Sequence, residues 1–364
     1  MVEGKIVSLS DIGYVLGTSA KKIQRWYQQS LSGFKEAKQE GKLHQYNIRS
    51  SNNGTPTIQV PIVLMENYGV NLAIDEKHIR GRYYTIISNL DTNKIILLIK
   101  SVKSREVYKV ICKYFSSEQM MNVKNITKDA ADNFDWVARQ AFANATKTLD
   151  KFHVLVWAFD ALQNLRIEIK NQYIIDVIEE EKELVSKYKI ALKNAKRKGL
   201  KVLKKDFKYK PEVHQNGETT KQLLSRSRFL LYKFADEWND EQEKRATILF
   251  DLFPQLFTAY IKVLDFRLWY AKEDIGVSRS FKEIKLMTWL EEIKSIKSNA
   301  FKVLRSTISR HRAQILNYFI EGRSNASAEA LNRNIKRFIG VNYGIRNVNY
   351  FFFRLNILHN STSI

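Results

Sequence analysis

Three carboxylates in this 364-residue chain sit where they could work together on phosphate groups. Asp75 ends the β-rich run LAID, Asp129 ends NITKD, and Glu329 lies in SNASAEALNRNIKRF, residues 324–338. Such an oxygen-donor set suits Mg²⁺, and two ions about 4 Å apart can stabilise the entering and leaving oxygens of a phosphoryl transfer. If a helix starts after Ser327 and Ala328, then Leu331, Ile335, Phe338 and Ile339 share one side. Glu329 shares another side with Arg333, Lys336 and Arg337. Each acid also has a plain structural explanation. Asp commonly ends strands and caps turns, and a Glu in a first helical turn suits the helix dipole and pairs with Arg at i+4. Both explanations stand at this point.

The elements that would carry these acids are legible in the patterning. GVNLAIDE, RYYTIISNL and KIILLIKSV read as three strands, the last two separated by a turn at Asp91, Thr92 and Asn93. A helix is expected over 104–115, a strand over 123–129, a helix in AADNFDWVARQAFA, a strand in ATKTLD and a further helix from Phe152. The order β-β-β-α-β-α-β-α predicts an α/β fold, a ribonuclease H-like mixed sheet flanked by helices. In such a sheet the strands ending at Asp75 and Asp129 are neighbours.

From there to residue 323 no strand is expected, and stretches such as SFKEIKLMTWLEEIKSIKSNAFKVLRSTISRHRAQILNYF keep a helical period, so a large all-α insertion is predicted. At the other end, SLSDIGYVLGTSAKKIQRWYQQ reads as two short helices bent at Gly17, with Leu9, Ile12 and Leu16 packing on Ile23 and Trp26. That is a helix-turn-helix outline offering Lys21, Lys22, Gln24 and Arg25 to DNA, although any small helical hairpin looks similar. The expected division is a helix-turn-helix-like segment over 1–30, a linker over 31–68, the first part of the core over 69–153, the helical insertion over 154–323 and the end of the core over 324–364.

Composition narrows the partners. Sixty Lys and Arg against 38 Asp and Glu give a formal charge of +22, which points to a polyanion, with nucleic acid ahead of an anionic membrane. No run of about 18 apolar residues is present to span a bilayer, and the N-terminus lacks the basic-then-apolar layout of a signal peptide. The single cysteine, Cys112, excludes a disulfide framework and a cysteine zinc site, and a reducing cytoplasm is expected. In VYKVICKYF it is expected to be buried as a small hydrophobe. Between Lys187 and Lys210 there are eleven Lys or Arg and one acid, Asp206; Arg197 and Lys198 fall in this run, a candidate DNA-backbone tracker or a solvated face.

Several stretches, in order, carry a resemblance: AIDEKHIRGRYYTII, VKNITKDAADNFDWVARQAFANATKTLDKFHV, QLLSRSRFLLYK, SNASAEALNRNIKRF and GIRNVNYFFFRL. Together they resemble the DDE transposases of bacterial insertion sequences, in particular the IS-L-three group, over about residues 30–358. The family fold is a ribonuclease H-like core with a helical insertion before the final glutamate. The spacings agree: 54 residues from Asp75 to Asp129, and 200 from Asp129 to Glu329.

The resemblance implies that Asp75, Asp129 and Glu329 are the catalytic triad and metal ligands. Two Mg²⁺ ions, or Mn²⁺ in their place, would be the cofactors. It places Asp150, His153 and Asn332 as supporting residues; His153, between Phe152 and Val154, fits a structural histidine equally well. It further implies double-stranded DNA as partner, a homodimer or larger assembly, and a cytoplasmic, nucleoid-associated bacterial protein. Two departures stand out. The cysteine zinc module of many relatives is missing, and Ala130 replaces the usual methionine after the second aspartate. The expected activity is a transposase that cuts at element ends and joins them to target DNA. A ribonuclease H-like nuclease without strand transfer and a catalytically silent DNA-binding protein are the alternatives.

Overall fold

The computed structural model describes residues 8–40, 45–47, 57–199, 201–202, 204–270, 275–322, 326–341, 345 and 347–360. The chain divides into two units, Met1–His153 with Ala313–Ile364, and Val154–Arg312.

At the start of the first unit, α1 (Leu9–Val15) and α2 (Ala20–Trp26) flank Gly17, whose φ of 62° is a left-handed value that glycine adopts at little cost. Ser8 and Ser19 cap the two helices. Leu9, Ile12 and Ile23 pack together as expected, but Leu16 and Trp26 do not join them. Both are exposed, Leu16 because it lies past the end of α1, and Trp26 because it faces outward beneath the Lys22 amine, 4.8 Å from its ring. The 31–68 segment is more than a linker. It contains α3 (Phe34–Gln39), an antiparallel ribbon of β1 (Gln45–Asn47) and β2 (Thr57–Gln59), and β3 (Ile62–Val63), which joins the main sheet. Burial of alternate residues Val60, Ile62 and Leu64 explains this, a pattern that Pro61 and the polar residues before it obscure. Tyr27 and Phe34 pack on Tyr350.

The remaining strands are β4 (Asn71–Ile79), β5 (Arg82–Asn89), β6 (Lys94–Ile99), β7 (Asn125–Lys128) and β8 (Thr146–Leu149). Among the described residues, six strands form one sheet in the order β3-β6-β5-β4-β7-β8. β4, β5 and β6 are antiparallel, whereas β7 and β8 add in parallel. The β5–β6 turn ends at Asn93, with φ 59°, a conformation asparagine tolerates. The parallel additions require crossovers, supplied by α4 (Ser104–Tyr114), α5 (Ser117–Asn122) and α6 (Asp132–Ala141). α5 was not expected from hydrophobic spacing; its signal is the capping box of Ser116 and Gln119. This is the ribonuclease H-like α/β architecture.

Both faces of the sheet are covered. Leu72, Ile74, Ile87, Leu97 and Ile126 pack against Val107, Val110, Phe134 and Val137 of α4 and α6. On the opposite face Ile79, Tyr84, Ile86 and Leu98 meet Leu331, Ile335, Phe338, Phe351 and Phe352 near the chain's end. Cys112 is exposed, not buried, because it lies on the outer side of α4 next to the buried Ile111.

The long helix α7 (Lys151–Lys198) leaves the first unit after His153. The second unit then contains α8 (Thr220–Arg226), α9 (Asp240–Leu252), α10 (Pro254–Trp269), α11 (Arg279–Glu292) and most of α12 (Asn299–Leu316). Pro254 opens α10, where its missing N–H is no loss. Glu218 accepts from Arg226 and Arg245, and the bond from Arg245 is the main reason its carboxyl is held down at about 2. Residues 313–323 group with the first unit, together with the short α13 (Tyr318–Glu321), α14 (Ala326–Val341) and α15 (Val348–His359). No single described helix is long and apolar enough to cross a membrane.

One charged pair ties β7 to its surroundings. The Lys128 amine, fully buried, lies 3.0 Å from Asp135 Oδ1, and Asp135 also pairs with Arg139 at 2.9 Å and accepts from Gln314 at 2.7 Å. Burial is the largest single influence on the Asp135 pKa and would raise it, but the charge and hydrogen bond of Lys128, with Gln314 and Arg139, together outweigh it and leave it lowered. Asp135→Ala therefore strands a buried cation and is expected to lower stability by about 3–5 kcal/mol in urea unfolding, most of it regained in Lys128→Met/Asp135→Ala. Because the folded pKa is depressed, this contribution is present above about pH 4 and is lost as pH falls through the folded value. A loss under about 1 kcal/mol in the single variant would show that the pair is not what fixes α6.

Candidate active site

The parallel register lines up the acids. Ile74 pairs with Lys128 and Lys128 with Leu149, so the next residues, Asp75, Asp129 and Asp150, stand side by side. Asp129 and Asp150 follow the ends of β7 and β8, but Asp75 does not end its strand as expected, because β4 runs on to Ile79 in the hairpin with β5. The preceding residues turn to the opposite side, where Ile74 and Leu149 are buried. Asp75 Oδ1 accepts from the Glu76 backbone N–H at 2.8 Å, and Asp129 Oδ1 from that of Ala130. These bonds tie each carboxylate to the backbone of the residue that follows it. The Asp150 backbone N–H in turn donates to the Lys128 carbonyl at 3.0 Å, holding β8 to β7 at the level of the acids.

α14 supplies the second side of the site. Its apolar residues Leu331, Ile335 and Phe338 dock on the sheet, as the spacing predicted. This seats Asn332 over β4, where its side-chain amide donates to Asp75 Oδ2 and its backbone carbonyl accepts from the Lys77 amine at 3.3 Å. Glu329, three residues earlier, is half-buried and close enough to Asp150, His153, Arg333 and Asp75 to feel their charges. It does not point freely outward. Arg333, Lys336 and Arg337 are exposed on the same helix.

His153 completes the cluster from the first turn of α7. Its Nδ1 lies 2.9 Å from Asp150 Oδ2 and its Nε2 3.7 Å from Asp129 Oδ2. The hydrogen bond to the buried Asp150 raises the histidine's pKa, against burial, with Asp129 and Asp75 adding to the rise. The structure therefore joins Asp150 and His153, and brings His153 to Asp129.

Electrostatically the cluster is short of positive charge. Burial raises the Asp75 pKa despite the bonds from Glu76 and Asn332 that lower it, and Asp129 adds repulsion. Glu329 is also raised, first by burial and then by Asp150. Glu76, which the sequence reading passed over, is raised by burial and by Asp129 and Asp75; its signal was adjacency to Asp75 in AIDE. Such acids favour a bound cation, and their oxygens are the donor type that Mg²⁺ and Mn²⁺ take. Asn332 Oδ1 is buried with no hydrogen-bond donor among the described residues, another oxygen that a cation or its water would satisfy. The donor set fits a divalent metal in kind. In spacing it is open: among the described residues no three His, Cys, Asp or Glu side chains are gathered closely enough to hold an ion.

The other residues singled out in the sequence belong to other elements. Lys21, Lys22 and Arg25 are exposed along α2, and Arg197 and Lys198 are exposed at the end of α7 in the second unit.

No curated protein matches the chain. A model of the transposase family does match it, that of the IS-L-three DDE group, over residues 72–355. The match takes in Asp75, Asp129, Asp150, His153, Glu329 and Asn332 and spans both units, so this chain belongs to the IS-L-three group of DDE transposases.

Proposed function

We propose that this transposase cuts DNA at the ends of its element and joins the freed 3′-OH ends to target DNA, with Asp75, Asp129 and Glu329 as ligands of two divalent ions. The observation that carries the reading is the register that sets Asp75, within β4, beside Asp129 and Asp150, just past the ends of β7 and β8, with the helix of Glu329 and Asn332 packed across them. Magnesium or manganese ions bound there would supply Lewis-acid stabilisation of the entering and leaving oxygens.

The chain's own groups have separate tasks. Asn332 fixes the rotamer of Asp75 through its amide. Asp150 holds His153, which keeps a proton more readily than a free histidine and sets a donor beside Asp129. Arg333, Lys336 and Arg337 are placed to hold DNA phosphates, which positions the backbone without reading sequence. The exposed Lys21, Lys22 and Arg25 in α2, and Arg197 and Lys198 in α7, extend the same function. Joining two ends calls for at least two copies of the chain.

The decisive assay uses a DNA fragment carrying the element ends, in Mg²⁺ or Mn²⁺. Glu329→Gln keeps size and hydrogen bonding but removes a ligand charge, and is expected to bind DNA normally while cleavage falls at least about a hundredfold. Equal activity would return Glu329 to the status of a surface glutamate, and cleavage without joined products would select the nuclease reading. His153→Gln is expected to cost about 10–100-fold in turnover through loosened support of the site, with DNA affinity unchanged. Since the folded pKa values of Asp75 and Glu329 are raised, their charge is lost at higher pH than for free carboxylates. Mn²⁺ affinity, followed by calorimetry, should therefore begin to fall on acidification while still above about pH 4; affinity flat down to that pH would contradict these ligands.

A further inference from the structure

A second feature lies on the same sheet face as the carboxylates and is not used by them. The β4–β5 hairpin turns through two residues, Arg80 and Gly81, between the paired Ile79 and Arg82. Both have positive φ, 49° and 76°. A turn of this kind favours Asn-Gly, and an arginine is a strained choice for its first position. Arg80 is exposed. Backbone strain kept at an exposed position is a reason to look for function there.

Beside this turn is a cleft of about 410 Å³. Its floor is made by Ile79, Tyr84 and Phe352, all buried in the sheet's second core. Its rim has Arg80, Arg82 and Lys100, and none of its lining residues is acidic. The Lys100 amine is steadied by Gln59 Oε1 at 2.8 Å, which uses one of its three protons. The opposite wall is the first turn of α15, from the GIRNVNYFFFRL stretch that the catalytic reading leaves without a role.

Position completes the argument. Residues 75, 77 and 79 alternate onto one face of β4, so the cleft shares its face with Asp75 and lies four residues further along, about 13 Å at 3.3 Å per residue. A DNA strand advances about 3.4 Å per nucleotide, so a backbone phosphate about four nucleotides from one at the carboxylates falls within reach. We infer that the cleft rimmed by Arg80, Arg82 and Lys100 is a second phosphate seat, which grips the DNA backbone beside the cleavage point without reading its sequence. The inference rests on the proposed DNA chemistry for its ligand.

The test uses the full chain and a random-sequence duplex of about 30 base pairs, with affinity followed by anisotropy at several salt concentrations. Arg80→Asn is expected to leave the melting temperature unchanged or higher, because asparagine suits the turn. It should also make the slope of log affinity against log salt shallower by about 1. Arg80→Asn/Arg82→Gln should weaken binding at least about tenfold near 0.1 M salt and flatten the slope by about 2, equally on unrelated sequences. Wild-type affinity and slope in both variants would overturn the inference, as would a loss confined to element-end sequences or to one free phosphate as competitor. If wild type fails to cut DNA while these variants still lose affinity, the catalytic reading falls and the phosphate seat remains. If the protein cuts DNA and the variants bind as wild type does, the seat alone is wrong.

Discussion

The rest of the site depends on the parallel register of β4, β7 and β8. Backbone hydrogen bonds between these strands force Asp75, Asp129 and Asp150 into adjacent places, although like charges at that spacing repel. Nothing local to any one aspartate would bring about this arrangement. It is held because the residues just before them are buried on the other side, Ile74 and Leu149 among apolar neighbours and Lys128 against Asp135. Slipping the register by one residue would expose those side chains and bury the acids, so the core and the carboxylate row specify each other.

The cost of that crowding is offset by donors at several distances. The Glu76 and Ala130 backbone N–H groups bond the first two acids, Asn332 reaches Asp75 from α14, and His153 lies between Asp150 and Asp129. Burial still leaves Asp75 and Glu329 with raised pKa values. The cluster is thus poised to gain from a divalent cation. A site already neutralised by lysines and arginines would not have that property.

The same logic places the chain's large positive charge. Cations flank the carboxylate row: the buried Lys77 feels the charge of Asp75, Arg333, Lys336 and Arg337 are exposed on α14, and Arg80, Arg82 and Lys100 ring the hairpin cleft. Two buried cations are structural. Lys128 pairs with Asp135, and Arg354 stacks against the rings of Tyr27 and Phe338 at 4.8 and 5.4 Å, fastening the N-terminal helices to the core.

The order of the main strands and helices and the ribonuclease H-like class were legible in the sequence, because alternating burial and helical periodicity are local properties. Asp75, Asp129 and Glu329 stood out as candidate acids, and the family resemblance added Asp150, His153 and Asn332. So was the apolar side of α14, which correctly set Leu331, Ile335 and Phe338 on the core. The errors arose where a neighbour distant in sequence decides. Cys112 lies in an apolar run yet faces outward, Leu16 and Trp26 lie beyond the reach of their small core, and β3 becomes a strand only because β6 offers it an edge. The bond from Asn332 to Asp75 spans 257 residues of sequence, and the approach of His153 to Asp129 depends on two parallel crossovers. Sequence patterning alone determined which residues face inward and which types could bind metal and phosphate. Which of them meet was decided only by tertiary packing, since the distance between side chains on different elements is set by the sheet register and by the seating of α14.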